Sequence, residues 1–202
     1  MKTLFTVLAA VAAVTFAQPQ ARADLAVGEK APAIVAKSID GKEWKLADQR
    51  GKYVVLEWYN PGCPYVKKFY NPGAMQKQQQ ELAAQGVVWV SIYSSGEAIA
   101  GKMSAEALQK QAKAWKTNPA VTLYDVPAQW AKAYSAKTTP HIFIINPEGQ
   151  LIYRGAIDSI SSGKSEDIAK AENYVTKALL EAKAGKPVGQ SVTKPYGCGV
   201  KL

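Results

Sequence analysis

The chain has 202 residues, 48% of them hydrophobic, with a formal net charge of +9, two cysteines and one histidine. That inventory falls short of a four-ligand zinc site and leaves a Ser-His-Asp arrangement without support. The 25 basic residues are interleaved with 16 acidic ones, with no run of five, so the charge reads as a solvated surface rather than a nucleic-acid face.

Residues 1–23 have the pattern of a secretory signal peptide: Lys2, an apolar run from Leu4 to Ala17, and the small-x-small site Ala21-Arg22-Ala23. The run is too short to span a bilayer, and polar Gln18-Pro19-Gln20 follows at once. The expected mature chain therefore starts at Asp24, in a periplasm or secreted, with no stable membrane insertion. Export argues against a nucleic-acid partner. Roughly 180 residues remain, enough for one domain with a good core. Residues 24–185 read as that domain and residues 186–202 as a tail carrying Cys198.

Ala33–Ser38 and Glu43–Leu46 flank Asp40-Gly41, a hairpin signal. Tyr53–Tyr59 is apolar, β-branched and aromatic, as a buried strand is. A helix should open at Cys63, break at Asn71-Pro72-Gly73 and resume over Ala74–Ala84. Val87–Tyr93 reads as a second buried strand, Met103–Trp115 as a helix and Val121–Tyr124 as a short strand. Asp125 can cap a helix through Trp130 to Tyr134. His141–Ile145 and Leu151–Tyr153 read as strands joined by Asn146-Pro147-Glu148-Gly149. Ser165–Ala184 is expected to be the longest helix, stopped by Gly185 and Pro187. The order implies an α/β fold: a central mixed sheet flanked by helices, with an N-terminal hairpin.

Cys63 carries the chemistry. Asn60-Pro61-Gly62 is turn chemistry, and Pro64 suits the first helical position. A thiol at a helix N-terminus faces unpaired N–H groups and the positive dipole end, which favour thiolate. Lys67, four residues on, should push the same way. The alternative is a small buried apolar side chain.

This stretch resembles the active-site segment of the thioredoxin superfamily, where a strand ends in a Cys-x-x-Cys that opens a helix. Here the four residues are Cys63-Pro64-Tyr65-Val66. Thr138 to Ile145 resembles the cis-proline loop and its following strand. With Val27-Gly28-Glu29-Lys30-Ala31-Pro32, these resemble the redoxin branch, the alkyl hydroperoxide reductase and thiol-specific antioxidant group. The resemblance implies a thioredoxin fold, with Cys63 as nucleophile and Pro64, Tyr65, Thr139 and Pro140 lining the place where a thiol or peptide binds. It also implies that Glu57 is a buried acid passing protons to and from cysteine. The other reading of Glu57 has it facing solvent or pairing with a lysine. His141, next to Pro140, reads more readily as a neutral core group than as an aid to the thiolate. Copper-carrying relatives use two neighbouring cysteines and a distant histidine, which this chain does not match, so neither metal nor cofactor is expected. True peroxiredoxins place threonine or serine three residues before their cysteine and proline seven before; Asn60 and Leu56 stand there.

The leading expectation is an exported thiol-disulfide oxidoreductase working through a mixed disulfide, its partners protein or small-molecule thiols and disulfides. A non-catalytic binding module for extracytoplasmic proteins or peptides is the alternative. A thiol peroxidase acting on hydroperoxides, with Cys198 as resolving cysteine, is a second. An even cysteine count in an oxidising compartment favours pairing of Cys63 with Cys198. The bridge is read as reversible, against a permanent structural bridge or two unrelated thiols. The glycine-flanked segment Tyr196-Gly197-Cys198-Gly199 is expected to be mobile.

Overall fold

The computed structural model describes residues 24–202; the signal-peptide reading falls on residues 1–23 and lies outside them. A short antiparallel hairpin, β1 (Val35–Lys37) and β2 (Glu43–Lys45), leads into the wholly buried central strand β3 (Val54–Trp58). Helix α1 (Pro64–Tyr70) follows, then α2 (Ala74–Ala84), the break falling at Asn71-Pro72-Gly73. Next come β4 (Val88–Ser94), α3 (Ala105–Trp115) and β5 (Val121–Asp125). Helix α4 (Gln129–Tyr134) precedes β6 (Thr138–Thr139), β7 (His141–Ile145) and β8 (Leu151–Gly155). A 3-10 segment (Ser165–Lys170), α5 (Tyr174–Lys183) and β9 (Cys198–Gly199) complete the order.

Five strands form one sheet in the order β5-β4-β3-β7-β8. β3 runs parallel to β4 and antiparallel to β7. Successive strand residues face opposite sides, so β3 serves two cores. Val55 joins Phe69, Leu82, Leu108, Val175 and Leu179 from α1, α2, α3 and α5. Val54, Leu56 and Trp58 join Ile34, Leu46, Ala131 and Tyr134 on the other side. The mixed sheet with helices on both faces and an N-terminal hairpin is the architecture the sequence implies. The Asp125 carboxylate does cap α4, accepting from the N–H groups of Trp130 at 3.2 Å and Ala131 at 3.0 Å. No helix among the described residues is long and apolar enough to cross a membrane.

Two expectations fail. The single helix over Ser165–Ala184 is instead a 3-10 segment and α5, separated where Ala171 turns extended, at φ −87° and ψ 146°. Tertiary pairing overrides the helical pattern: Ser159 N–H donates to Glu172 O at 3.1 Å and Tyr174 N–H to Ile157 O at 2.9 Å. Asn173 then starts α5 afresh, its side chain accepting from Thr176 N–H at 3.0 Å. The tail is likewise not a mobile extension. Arg154 N–H donates to Ser191 O at 3.0 Å, and Thr193 N–H to Arg154 O at 3.1 Å. Thr193 Oγ1 accepts from Ala156 N–H at 2.9 Å. Gly155 makes this seat possible, because a Cβ there would stand 2.1 Å from Thr193 Oγ1.

Candidate active site

Cys63 is the N-cap residue of α1, extended at φ −77° and ψ 126°, with Pro64 following at the first helical position. The turn before it is held by Gly62 N–H donating to Asn60 Oδ1 at 2.8 Å. Only 3% of Cys63 is exposed. Its thiol donates to Thr139 O at 3.0 Å, although 76 positions separate the two residues. The Thr139–Pro140 peptide is cis. β3 and β7 pair Trp58 with His141, which carries the strand ends bearing Cys63 and Thr139 to one end of the sheet.

Cys198 arrives at the same point. β9 pairs antiparallel with β6, setting Cys198 opposite Thr139 and Gly199 opposite Thr138. Gly197 allows the approach: its φ is 137°, and a Cβ would stand 2.1 Å from Thr139 O. Both cysteines are thiols, near enough for each to bear on the other's ionisation. Burial pushes the Cys63 thiol up, but hydrogen bonds from the Cys198 thiol, the Thr139 side chain and the N–H groups of Cys198 and Val66 outweigh it. The net direction is below an ordinary thiol. Thr139 Oγ1 is buried without a partner in the neutral site, so its proton is available to a thiolate. Cys198 is pushed up to about 11, by burial first, then by its hydrogen bond to Cys63 and that sulfur's charge. The pair is thus graded, with Cys63 the easier to ionise and Cys198 the proton donor.

The remaining expected residues divide. Tyr65 packs its ring edge-on to Tyr196, centroids 5.9 Å apart. Lys67 is exposed and is absent from the groups that hold the Cys63 thiolate. The neighbouring Lys68 is the buried one, its Nζ 2.7 Å from Asp158 Oδ2. Glu57 is wholly buried, which excludes the solvent-facing reading. Its Oε2 accepts from the Tyr70 hydroxyl at 2.7 Å, the Trp89 N–H at 2.9 Å and the Ser91 hydroxyl at 3.0 Å, while Oε1 has no partner. Burial raises its carboxyl pKa against those three donors. Its donors are Tyr70 on α1 and Trp89 and Ser91 on β4, and none of these bonds reaches Cys63. His141 is buried and neutral: its Nδ1 accepts from Lys137 N–H at 3.2 Å. Burial, helped by the charges of Arg154 and Lys137, lowers its pKa to about 3. Among the described residues, no three His, Cys, Asp or Glu side chains gather as metal ligands would.

Residues 27–154, from the turn before β1 to the end of β8, match the AhpC/TSA family. The chain belongs to the AhpC/TSA family. The match ends before Asp158, Tyr196 and Cys198. Thiol-disulfide oxidoreductase ResA of Bacillus subtilis (strain 168) is 32% identical over 125 residues. That alignment covers 62% of this AhpC/TSA chain and 64% of ResA, less than two thirds of the relative's length. An uncharacterized conserved protein from Geobacillus kaustophilus superposes with a TM-score of 0.73 at 26% identity, covering 88% of this chain and 93% of that one. For a hypothetical protein from Sinorhizobium meliloti 1021 the values are 0.75 and 24%, covering 89% and 96%. The thioredoxin domain of a thiol-disulfide oxidoreductase from Bacteroides vulgatus shares the fold, with a TM-score of 0.53 at 20% identity over 73% of this chain and 98% of that domain.

Proposed function

We propose that this chain is an exported thiol-disulfide oxidoreductase in which Cys63 is the nucleophile and Cys198 resolves it. The reading is supported above all by the pairing of Cys198 with Thr139, which brings a second thiol of higher pKa against Cys63. The Cys63 thiolate attacks one sulfur of a partner disulfide; a mixed disulfide forms and the partner's other sulfur leaves as thiolate. The Cys198 thiol gives up its proton and attacks Cys63 Sγ, and the partner's remaining sulfur departs. The partner has gained two electrons and two protons, and Cys63 and Cys198 are joined. A second thiol pair reduces that bridge, and the relative potentials set the net direction. Thr139 and Pro140 border the reacting sulfurs, with Pro64 and Tyr65 on the α1 side. Export rests on the pattern of residues 1–23, which also predicts Asp24 as the mature N-terminus.

The test is non-reducing mass mapping of the natively exported protein, with an insulin-reduction assay and a hydroperoxide-consumption assay in parallel. The expected result is a chain beginning at Asp24, a Cys63–Cys198 peptide under oxidising glutathione, and insulin reduction lost in Cys63→Ser. Absence of that peptide defeats the resolving role. Inactivity in both assays leaves a binding module, and peroxide turnover alone makes hydroperoxide the oxidant.

A further inference from the structure

Beside Cys63 the chain builds a polar notch in which Tyr65 and Lys68, inside the matched segment, meet Asp158, Ile160 and Tyr196 beyond it. Lys68 is only 1% exposed. A lysine ammonium has three N–H donors, and a buried one needs an acceptor for each. Lys68 Nζ has three: Asp158 Oδ2 at 2.7 Å, Ile160 O at 2.9 Å and the Tyr196 hydroxyl at 3.1 Å. The same hydroxyl donates to Asp158 Oδ1, and the Tyr196 ring lies edge-on to Tyr65. The notch therefore uses the phenol as acceptor, as donor and as apolar ring at once. Phenylalanine lacks the oxygen, tryptophan lacks an acceptor, and lysine and arginine lack both ring and acceptor.

Tyr196 sits two residues before Cys198, with the obligatory Gly197 between them. With this segment seated, Cys63 is 3% exposed. Displacing the seated tail to admit an external sulfur would break the Lys68–Tyr196 bond and leave the third Lys68 donor unmet. We propose that Lys68, Asp158 and Tyr65 form a tyrosine-binding subsite of the thiol site. Tyr196 fills it in the resting chain; in a reacting complex it takes the tyrosine of a partner polypeptide, two residues ahead of the partner's cysteine. This rests on Cys63 being the exchange nucleophile. Partners without the phenol leave a buried ammonium short of one acceptor, and specificity is that difference.

The test uses the full-length chain carrying Tyr196→Ala and Cys198→Ser, so that neither phenol nor thiol of the tail competes. Cys63 is first converted to its glutathione mixed disulfide. Peptides of sequence Tyr-Gly-Cys-Gly, Phe-Gly-Cys-Gly and Ala-Gly-Cys-Gly are then equilibrated with it. The peptide thiolate attacks Cys63 Sγ, the bond to glutathione breaks, and glutathione leaves as thiolate and takes up the peptide thiol's proton, with no net oxidation. Intact mass gives the exchange constants. The tyrosine peptide is expected to be favoured about tenfold over the phenylalanine peptide. Equal constants overturn the subsite and leave the Cys63 chemistry standing. No glutathione adduct at Cys63, or no exchange with any peptide, overturns the underlying reading. Should Tyr196→Ala not fold, Tyr196→Phe, which keeps the ring against Tyr65, carries the same comparison with the same two ways to fail.

Discussion

Replacing His141 with asparagine should flatten the acid limb of this protein's stability. His141 is held neutral by burial and by the nearby charges of Arg154 and Lys137, with a pKa near 3 against the ordinary 6.5. A base whose pKa is depressed on folding binds a proton in the unfolded chain first. Its contribution to stability is therefore intact above pH 6.5, falls as the pH drops below that value, and is gone near pH 3. At about 1.4 kcal/mol per unit, the loss between pH 7 and pH 5 is roughly 2 kcal/mol, and the whole span is roughly 5 kcal/mol. Asparagine offers Oδ1 where Nδ1 accepts from Lys137 N–H. The packing of His141 on Phe143, centroids 4.4 Å apart, is lost at every pH and does not enter the slope. Asp24, Asp40 and Asp167 have lowered pKa values and add acid sensitivity at lower pH in both proteins, which a difference cancels. The assay is urea unfolding at pH 7 and pH 5 for wild type and His141→Asn. The variant should lose about 2 kcal/mol less across that interval. Equal losses would refute a neutral, buried histidine.

The Cys63 alkylation midpoint, measured on a Cys198→Ser background, should lie below the ~8.5 of an ordinary thiol, and a midpoint at or above it removes the activated thiolate. Gly197→Ala, whose Cβ meets Thr139 O at 2.1 Å, should unseat β9; at a fixed glutathione poise the Cys63–Cys198 fraction should drop sharply, and an unchanged fraction contradicts the seat described. Lys68→Met should cost about 3 kcal/mol by leaving Asp158 buried without its cation, read as a drop in thermal midpoint of several degrees. Adding Asp158→Leu should restore much of it, and a second drop of equal size would count against the pairing.

Local chemistry made the thiol end of the fold legible. Apolar Tyr53–Tyr59, the turn at Asn60-Pro61-Gly62 and Pro64 together fix where Cys63 stands, and Pro72-Gly73 fixes the helix break. Everything that depends on a distant chain segment was hidden. Lys67 and Lys68 are indistinguishable as letters; only the packing of residues 158–160 and Tyr196 over α1 buries the second. The Ser165–Ala184 pattern is helical in period, yet backbone pairing with residues 157–159 wins at Ala171 to Tyr174. The glycines flanking Cys198 read as freedom, whereas Gly197 serves close approach to Thr139. One signal was available: Tyr196, the one aromatic residue in the tail of residues 186–202, points to an anchor.

The way the two ends of the described chain lie along the sheet bears on how the protein keeps to itself. The outer strands of the five-stranded sheet are β5 and β8, and an unpaired outer strand is a template for joining another chain. Ile39 N–H donates to Thr122 O on β5, and residues 191–193 pair along Arg154 on β8. Both borders are thus partly occupied by the chain's own backbone. The β8 side is closed by residues 191–193, so a chain cut short before Ser191 would carry an open, template-competent border and tend to self-associate.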